Sequence, residues 1–285
     1  PVAATPRAVL SDVGVDSNVF NEKVNPKRDT TFTFVPSVEL RMRMGRASLV
    51  SSTQAQVVHF QKYTSQRSVN PSQNLAAEAL LNRVTVRGYF NVLKTHDRPG
   101  LEIDLRASRL VQSYGMSGDL RVLSKTSARL EASRSQTSFD QDAVVAGISL
   151  QEALNQTNEA LAVSIRHALT PLTTAVLRGE RQVDRFELDR TRDAESIRVT
   201  SGLEFSRSAL ISGTAVVGYR QFRPKREGVP EFRGLVTRIE LSSVIRGITR
   251  LSVGTGRDVA YSLSVERPYF LLSSATVALT QRFGT

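Results

Sequence analysis

The sequence predicts an all-β fold: a single domain over residues 1–285, built as an antiparallel up-and-down transmembrane β-barrel of about 14 strands. Segments of about 10 residues alternate apolar and polar from end to end. Thr237-Arg238-Ile239-Glu240-Leu241, Ala128-Arg129-Leu130-Glu131-Ala132 and Leu203-Glu204-Phe205 show it most cleanly. Successive side chains of a strand point to opposite faces, so each segment has one oily and one wet face. An arginine or glutamate on nearly every wet face suits a barrel with lipid outside and water inside. The segments are also long: a strand crosses a bilayer in about 9–11 residues, against a mode near 5–6 in soluble sheets.

A first strand is expected over Arg7–Phe20, and a polar loop over Asn21–Asp29 contains Pro26. Thr30–Met44 alternates very regularly, with Phe32, Phe34, Val38, Leu40 and Met42 on one face and Thr33, Ser37, Glu39, Arg41 and Arg43 on the other. Gly45-Arg46 supplies the positive φ of a tight hairpin turn, Ala47–Tyr63 returns, and Thr64–Asn74 reads as a second polar loop. Ala76–Leu81 and Val84–Lys94 pair around Asn82-Arg83, and Thr95–Arg106 is loop. Leu110–Leu123 and Ala128–Thr137 flank Ser124-Lys125-Thr126, and Asp140–Leu150 is loop. Asn158–Ala168 and Thr174–Phe186 flank Thr170-Pro171-Leu172, with Leu188–Glu195 connecting onward. Ser196–Phe205 and Leu210–Phe222 flank Ser206-Arg207-Ser208, and Pro224–Glu231 is loop. Phe232–Ser243 and Thr249–Val259 flank Ile245-Arg246-Gly247, and Tyr269–Phe283 is the last strand. Long and short connections therefore alternate, as antiparallel neighbours require.

Two stretches, Leu75–Leu81 and Leu150–Leu161, are rich in helix formers, and a short helix near Ser149 fits within a loop. Pro36 is the exception among prolines that fall mostly in connections, and it suits a bulge or strand end better than central pairing.

Composition narrows the class. Hydrophobic residues make up 40% of the chain, and no run approaches the roughly 18 apolar residues of a spanning helix. The absence of cysteine excludes disulfides, thiolate metal sites and cysteine nucleophiles. With no tryptophan, any interfacial aromatic girdle falls to Phe and Tyr. A net charge of +11 raises nucleic acid as a partner, but the arginines are spread one or two per strand and no nucleic-acid motif accompanies them, so no nucleic-acid partner is expected.

The polar face, taken as the lumen, carries Arg41, Arg43, Arg87, Arg121, Arg129, Arg166, Arg178, Arg198, Arg220, Arg238 and Arg250. Its acids are Glu39, Asp119, Glu131, Glu180, Glu204, Glu240 and Asp258. Pairs two residues apart share that face, namely Glu39/Arg41, Asp119/Arg121, Arg129/Glu131, Arg178/Glu180 and Arg238/Glu240. Arginine is in excess, so a water-filled pore would favour anions or acidic polymers. The competing reading is a soluble antiparallel sheet whose charges solvate an exposed face.

Catalytic chemistry has little support. His59, His96 and His167 are isolated in sequence, without the spacing to a serine and an orienting acid that a hydrolase needs. His167 falls on the lipid-side alternation and His96 at a loop edge, while the face of His59 is open. Gly254-Thr255-Gly256 lies in a strand with no following helix, so close backbone packing is expected there instead of a phosphate site. Asp16 and Asp29 lack calcium-loop spacing. No metal, cofactor or catalytic residue is expected.

Val13-Gly14-Val15-Asp16-Ser17-Asn18-Val19-Phe20, Leu169-Thr170-Pro171-Leu172-Thr173-Thr174 and Val217-Gly218-Tyr219-Arg220-Gln221-Phe222 carry a resemblance. In these stretches the chain resembles the β-barrel porin type 2 family of outer-membrane proteins, often linked to exopolysaccharide or capsule production and export. The resemblance implies the bacterial outer membrane as location, with membrane lipid and the barrel-assembly machinery as partners. Together with the arginine excess of the polar face, it suggests a porin-like role, with anionic solute or acidic polysaccharide as cargo. Two other roles stay open: a non-conducting structural or assembly component of polysaccharide export, and an outer-membrane hydrolase. Barrels of this kind commonly end in an aromatic residue, whereas Phe283 here is followed by Gly284-Thr285, and Gln281 interrupts the pattern of Val277, Leu279 and Phe283. That ending predicts a chain stopping one hairpin short of about 16 strands. A start at Pro1 without Met fits a chain with its signal segment removed, or an internal fragment.

Overall fold

The alternation does produce strands, and they are long. The structure, a computed structural model, describes residues 2–100, 102–145, 147–206, 208–264 and 266–281. The strands are β1 (Val2–Asp16), β2 (Asp29–Met44), β3 (Ala47–Phe60), β4 (Ser68–Leu81), β5 (Val84–Asp97), β6 (Ala107–Arg121) and β7 (Thr126–Phe139). Two short strands, β8 (Val144–Val145) and β9 (Ile148–Ser149), precede the helix α1 (Leu150–Leu154). Then come β10 (Gln156–Thr170), β11 (Thr173–Phe186), β12 (Ala194–Phe205), β13 (Ile211–Pro224), β14 (Phe232–Ile245), β15 (Thr249–Tyr261) and β16 (Tyr269–Gln281). All but β8 and β9 form one 14-stranded up-and-down sheet in chain order, beginning at β1 and ending at β16. At about 3.3 Å per residue, a 14-residue strand such as β11 extends roughly 46 Å, enough to cross a bilayer at a steep tilt.

Several boundaries differ from expectation. β1 runs five residues earlier than the apolar pattern suggested and ends at Asp16, where the Asp16 side chain accepts the Asn18 N–H and turns the chain. Residues 68–74, expected as loop, open β4, because Ser68, Asn70, Ser72 and Asn74 form the wet face of a strand paired to β3. Leu75–Leu81 is strand, not helix, as pairing to both β3 and β5 overrides its helix propensity. The helix near Ser149 is present, with the Ser149 hydroxyl accepting the Glu152 N–H, but it stops at Leu154 and the rest of Leu150–Leu161 is strand. Pro36 sits mid-strand opposite Ala8, and the β2–β3 ladder skips its level between Phe34 and Ser37. Pro6 and Pro71 also lie within strands, so proline is less confined to connections than expected. Pro1, Arg207, Phe283, Gly284 and Thr285 lie outside the described residues.

Register assigns the residues of β1–β5 and β11–β16 to faces. On β11–β16 the apolar face carries Leu177, Val199, Val217, Leu235 and Val277, each between 51% and 72% exposed. The opposite face holds Ser196, Arg220 and Val236, each 4% exposed. A soluble sheet covers its oily face, since contiguous exposed apolar surface is costly in water. Here those apolar side chains are exposed, and Arg220 on the opposite face is sheltered.

The chain forms two compact units. Unit 1 comprises Pro1–Met116, Ser133–Asn158 and Phe186–Arg190; unit 2 comprises Ser117–Ala132, Glu159–Arg185 and Thr191–Thr285. In each, the buried core lies towards the long connections. Unit 1 buries Val19, Phe60, Ile103, Phe139, Leu150 and Phe186. Its loops are tied by Asp29, which accepts N–H groups from Thr30, Lys62 and Tyr63 at 2.7–2.9 Å, and by Asn155, which accepts the Phe139 N–H at 2.7 Å. Unit 2 buries Phe222, Ala194, Asp184, Arg192 and Ser262.

Candidate functional site

The polar face of unit 2 is organised around one carboxylate. Register sets Arg198 of β12 directly opposite Arg220 of β13. Like charges in that position repel, so a counter-charge is needed. Asp258 of β15 supplies it: one carboxylate oxygen accepts from Arg198 at 2.7 Å and the other from Arg220 at 2.7 Å. Between them, Gly234 of β14 faces Arg220 and presents no side chain to block the reach. Arg220 also donates to Ser196 at 3.1 Å and lies over the Phe222 ring, 5.4 Å from its centroid. The Nε–H groups of Arg198 and Arg220 are buried and have no acceptor among the described residues.

Around this centre run further pairs. Arg178 is held between Glu131 at 3.1 Å and Glu180 at 2.9 Å, Arg166 grips Glu204 with both terminal nitrogens, and Arg129 meets Asp119 at 2.7 Å. Arg238 and Glu240 pair at 3.3 Å with most of both side chains exposed. A cavity of about 760 Å³ is lined by Arg178, Glu180, Arg198, Arg238 and Asp258, among others. Towards the long connections the strand ends carry a packed cluster: the Tyr261 hydroxyl donates to buried Asp184 at 2.7 Å, Arg192 donates to the Ser262 carbonyl, and Phe222 packs on Tyr261 and Tyr269.

In unit 1, Arg41 pairs with Glu39, and Arg87 pairs with Glu78 at 2.6 Å. Of the eleven arginines marked by alternation, eight therefore have a carboxylate partner. Arg43, Arg121 and Arg250 have none among the described residues, and all three stand at strand ends beside short turns. Two pairings expected along a strand are exchanged for pairings between strands: Asp119 takes Arg129 instead of Arg121, and Glu131 takes Arg178 instead of Arg129. Long side chains on neighbouring strands, about 5 Å apart, meet more easily than residues two apart along one strand, some 6–7 Å away.

Sequence reasoning missed Glu78, hidden in an alanine-rich stretch that also read as helix, though its parity with Asn74 marked the wet face. Arg7 was missed as well; it faces Ser37 on the polar side of β1. Asp184, Arg192 and Tyr261 could not be picked out, since only folding of the long connections brings them together.

The histidines are not assembled into a catalytic group. His59 stacks on Phe32 on the apolar face, and His167 Nδ1 contacts the Thr126 hydroxyl at 2.9 Å. His96 Nδ1 lies 2.9 Å from the Ser108 hydroxyl, but its Nε2 has no hydrogen-bond partner among the described residues, so no acid orients it. No group of three or more potential metal ligands occurs among the described residues. The tight packing expected at Gly254 and Gly256 is not found, since an added Cβ would meet its nearest neighbours at ordinary distances, 3.8 and 3.6 Å. These glycines stand opposite Glu240 and Arg238, leaving space beside those long side chains.

Residues 5–285 match the family described as "Putative beta-barrel porin 2". The chain belongs to this family. It is a porin-like β-barrel protein. No curated protein matches the sequence of this barrel protein. Solved structures similar to it include one described as "Asymmetric conductivity of engineered proteins" and a mutant of Rh. blastica porin. Each is 7% identical, with 99% of this chain and 100% of that chain covered and a TM-score of 0.33.

Proposed function

We propose that this chain is a barrel of the bacterial outer membrane whose polar face lines a path for anionic solutes or acidic polysaccharide. One observation carries the reading: on β11–β13 the oily face is exposed while Arg178, Arg198 and Arg220 on the opposite face are sheltered, the inverse of a soluble sheet. Ion pairing refines the electrostatics. Most of the arginine marked by alternation is neutralised by carboxylates, and among those eleven the uncompensated positive charge sits at Arg43, Arg121 and Arg250 beside the short turns, with Arg7 on β1 a further cation of that face. Short turns belong on the periplasmic side of such barrels, so anions would be gathered there. Deeper in unit 2, the unused Nε–H groups of Arg198 and Arg220 offer donors to a passing anion or to water.

Planar-bilayer recording tests this. The protein is expected to give anion-selective steps, and replacing Arg43, Arg121 and Arg250 by Ala together should shift the reversal potential towards zero selectivity. The Arg238→Ala change should act in the same direction, because Arg238 is exposed on the cavity wall. Unchanged reversal potential in both variants would count against an anion path.

A second reading draws on the packed layer of Asp184, Tyr261, Phe222, Arg192 and Ser262: a closed, non-conducting component of polysaccharide export. Silence in the bilayer from correctly folded protein would favour it.

A further inference from the structure

We infer that the outward face of β11–β14, at its long-loop end, is a docking surface for the phosphate groups of an anionic membrane lipid. This goes beyond the pore reading, sharing with it only the premise that the apolar face meets lipid.

Register places the residues. Arg181, Ile197, Gln221 and Arg233 stand side by side in one row across four strands, on the apolar face. One row nearer the long connections come Val183, Glu195 and Arg223, followed by Lys225 and Glu231 at the loop edge. Inward of both rows the same face is oil: Val199, Leu235, Leu177 and Val217 are all more than half exposed. Tyr219, 49% exposed, sits at the boundary where an interfacial aromatic belongs. Oil, aromatic ring and cations thus follow one another in the order of a bilayer's core, interface and headgroups.

The charges do not cancel. Glu195 is shared by Arg181 at 3.3 Å and Lys225 at 3.7 Å, and Glu231 by Arg233 at 2.8 Å and Arg223 at 3.5 Å. Four cations against two carboxylates leave a charge of +2 (4 − 2), and all four cationic side chains are about half exposed or more. Hydrogen bonds from Arg233 and then Gln221 hold the Glu231 carboxyl below its ordinary pKa, so this count applies at neutral pH. Each carboxylate is shared between two cations and so neutralises only part of their charge. Arginine forks of this kind suit the oxygens of a phosphate, and each cation near an anionic surface adds attraction. The opposite end of the same face is different: towards the short turns, the described outward residues of β11–β14 (Ala175, Leu203, Phe205, Ala215, Ile239 and Leu241 among them) carry no charge. The cations are therefore a feature of one leaflet, which points to a leaflet rich in phosphate.

The test uses the full chain folded in detergent and two glycolipid probes, a bisphosphorylated lipid A and the same lipid without its phosphates, with retention read by native mass spectrometry. Wild type should hold the phosphorylated form at least about tenfold more tightly. The Arg223→Gln/Arg233→Gln and Arg181→Gln/Lys225→Gln pairs should lose that preference, whereas Glu195→Gln/Glu231→Gln should keep or raise it. Equal retention of the two lipids by wild type would overturn the inference, as would undiminished preference in both cation variants. So would displacement of the lipid by millimolar inorganic phosphate, which would make this a solute site. If a Gln variant fails to give the folded, heat-modifiable band, the lysine variants Arg223→Lys/Arg233→Lys and the wild-type comparison decide. Because these side chains face outward, the variants should keep wild-type ion selectivity. Loss of lipid preference with intact conductance thus indicts this surface alone, and a silent channel that still prefers the phosphorylated lipid indicts the pore alone.

Discussion

Replacing Gly218 by alanine should prevent the chain from reaching its folded, heat-resistant form. A Cβ at this position would lie 2.2 Å from the Val199 carbonyl oxygen and 2.7 Å from the Thr200 Cα. Both are backbone atoms of the neighbouring strand, so no side-chain rotation relieves the collision. Gly202 repeats the arrangement one level along, with the Ala215 oxygen at 2.2 Å and the Val216 Cα at 2.7 Å. Together they let the backbones of β12 and β13 approach closely beside Arg198 and Arg220, which is what glycine inside a strand commonly marks. Overpacking a filled core costs about 1–3 kcal/mol, and a clash with the main chain of the neighbouring strand should reach or exceed the top of that range. Unheated electrophoresis checks it: Gly218→Ala should run as the unfolded band. Gly179→Ala, with nothing within 4 Å of the added carbon, should run as the folded one. Equal folding of the two would refute the argument.

The Asp258→Ala substitution should lower stability by about 2 kcal/mol, measured by urea unfolding in detergent. Removing one partner of a buried ion pair costs about 3–5 kcal/mol; Asp258 is 39% exposed, so screening reduces that figure. The cost arises because Arg220, 5% exposed at its side chain, would face Arg198 with no anion between them. Adding Arg220→Met to Asp258→Ala should recover much of the loss, since deleting both partners leaves no orphaned charge. An unfolding midpoint unmoved by Asp258→Ala would show that the carboxylate does not hold the two arginines together.

The polar face was readable in the chain because parity is a local property. Arg178, Glu180, Arg198, Glu204 and Arg220 alternate with apolar neighbours, and every one of these lands on a single face. Boundaries were less readable where the wet face is small and uncharged: Ser68, Asn70, Ser72 and Asn74 have loop-like composition, yet pair along their full length with β3. Glycine roles also escaped local reading. Gly254 and Gly218 look alike in sequence, but only Gly218 has a neighbouring backbone in the path of a side chain.

By itself the sequence determined the all-β class, the alternation of long and short connections, and the face of most of the charged strand residues, since two-residue periodicity and turn chemistry act within a few residues. The tertiary structure alone decided which arginine each acid neutralises, that Asp258 reaches past β14 to join Arg198 and Arg220, and that positive charge is left beside the short turns. Those outcomes depend on register and on strand curvature. Both are set by contacts between residues tens of positions apart, for which no local pattern exists.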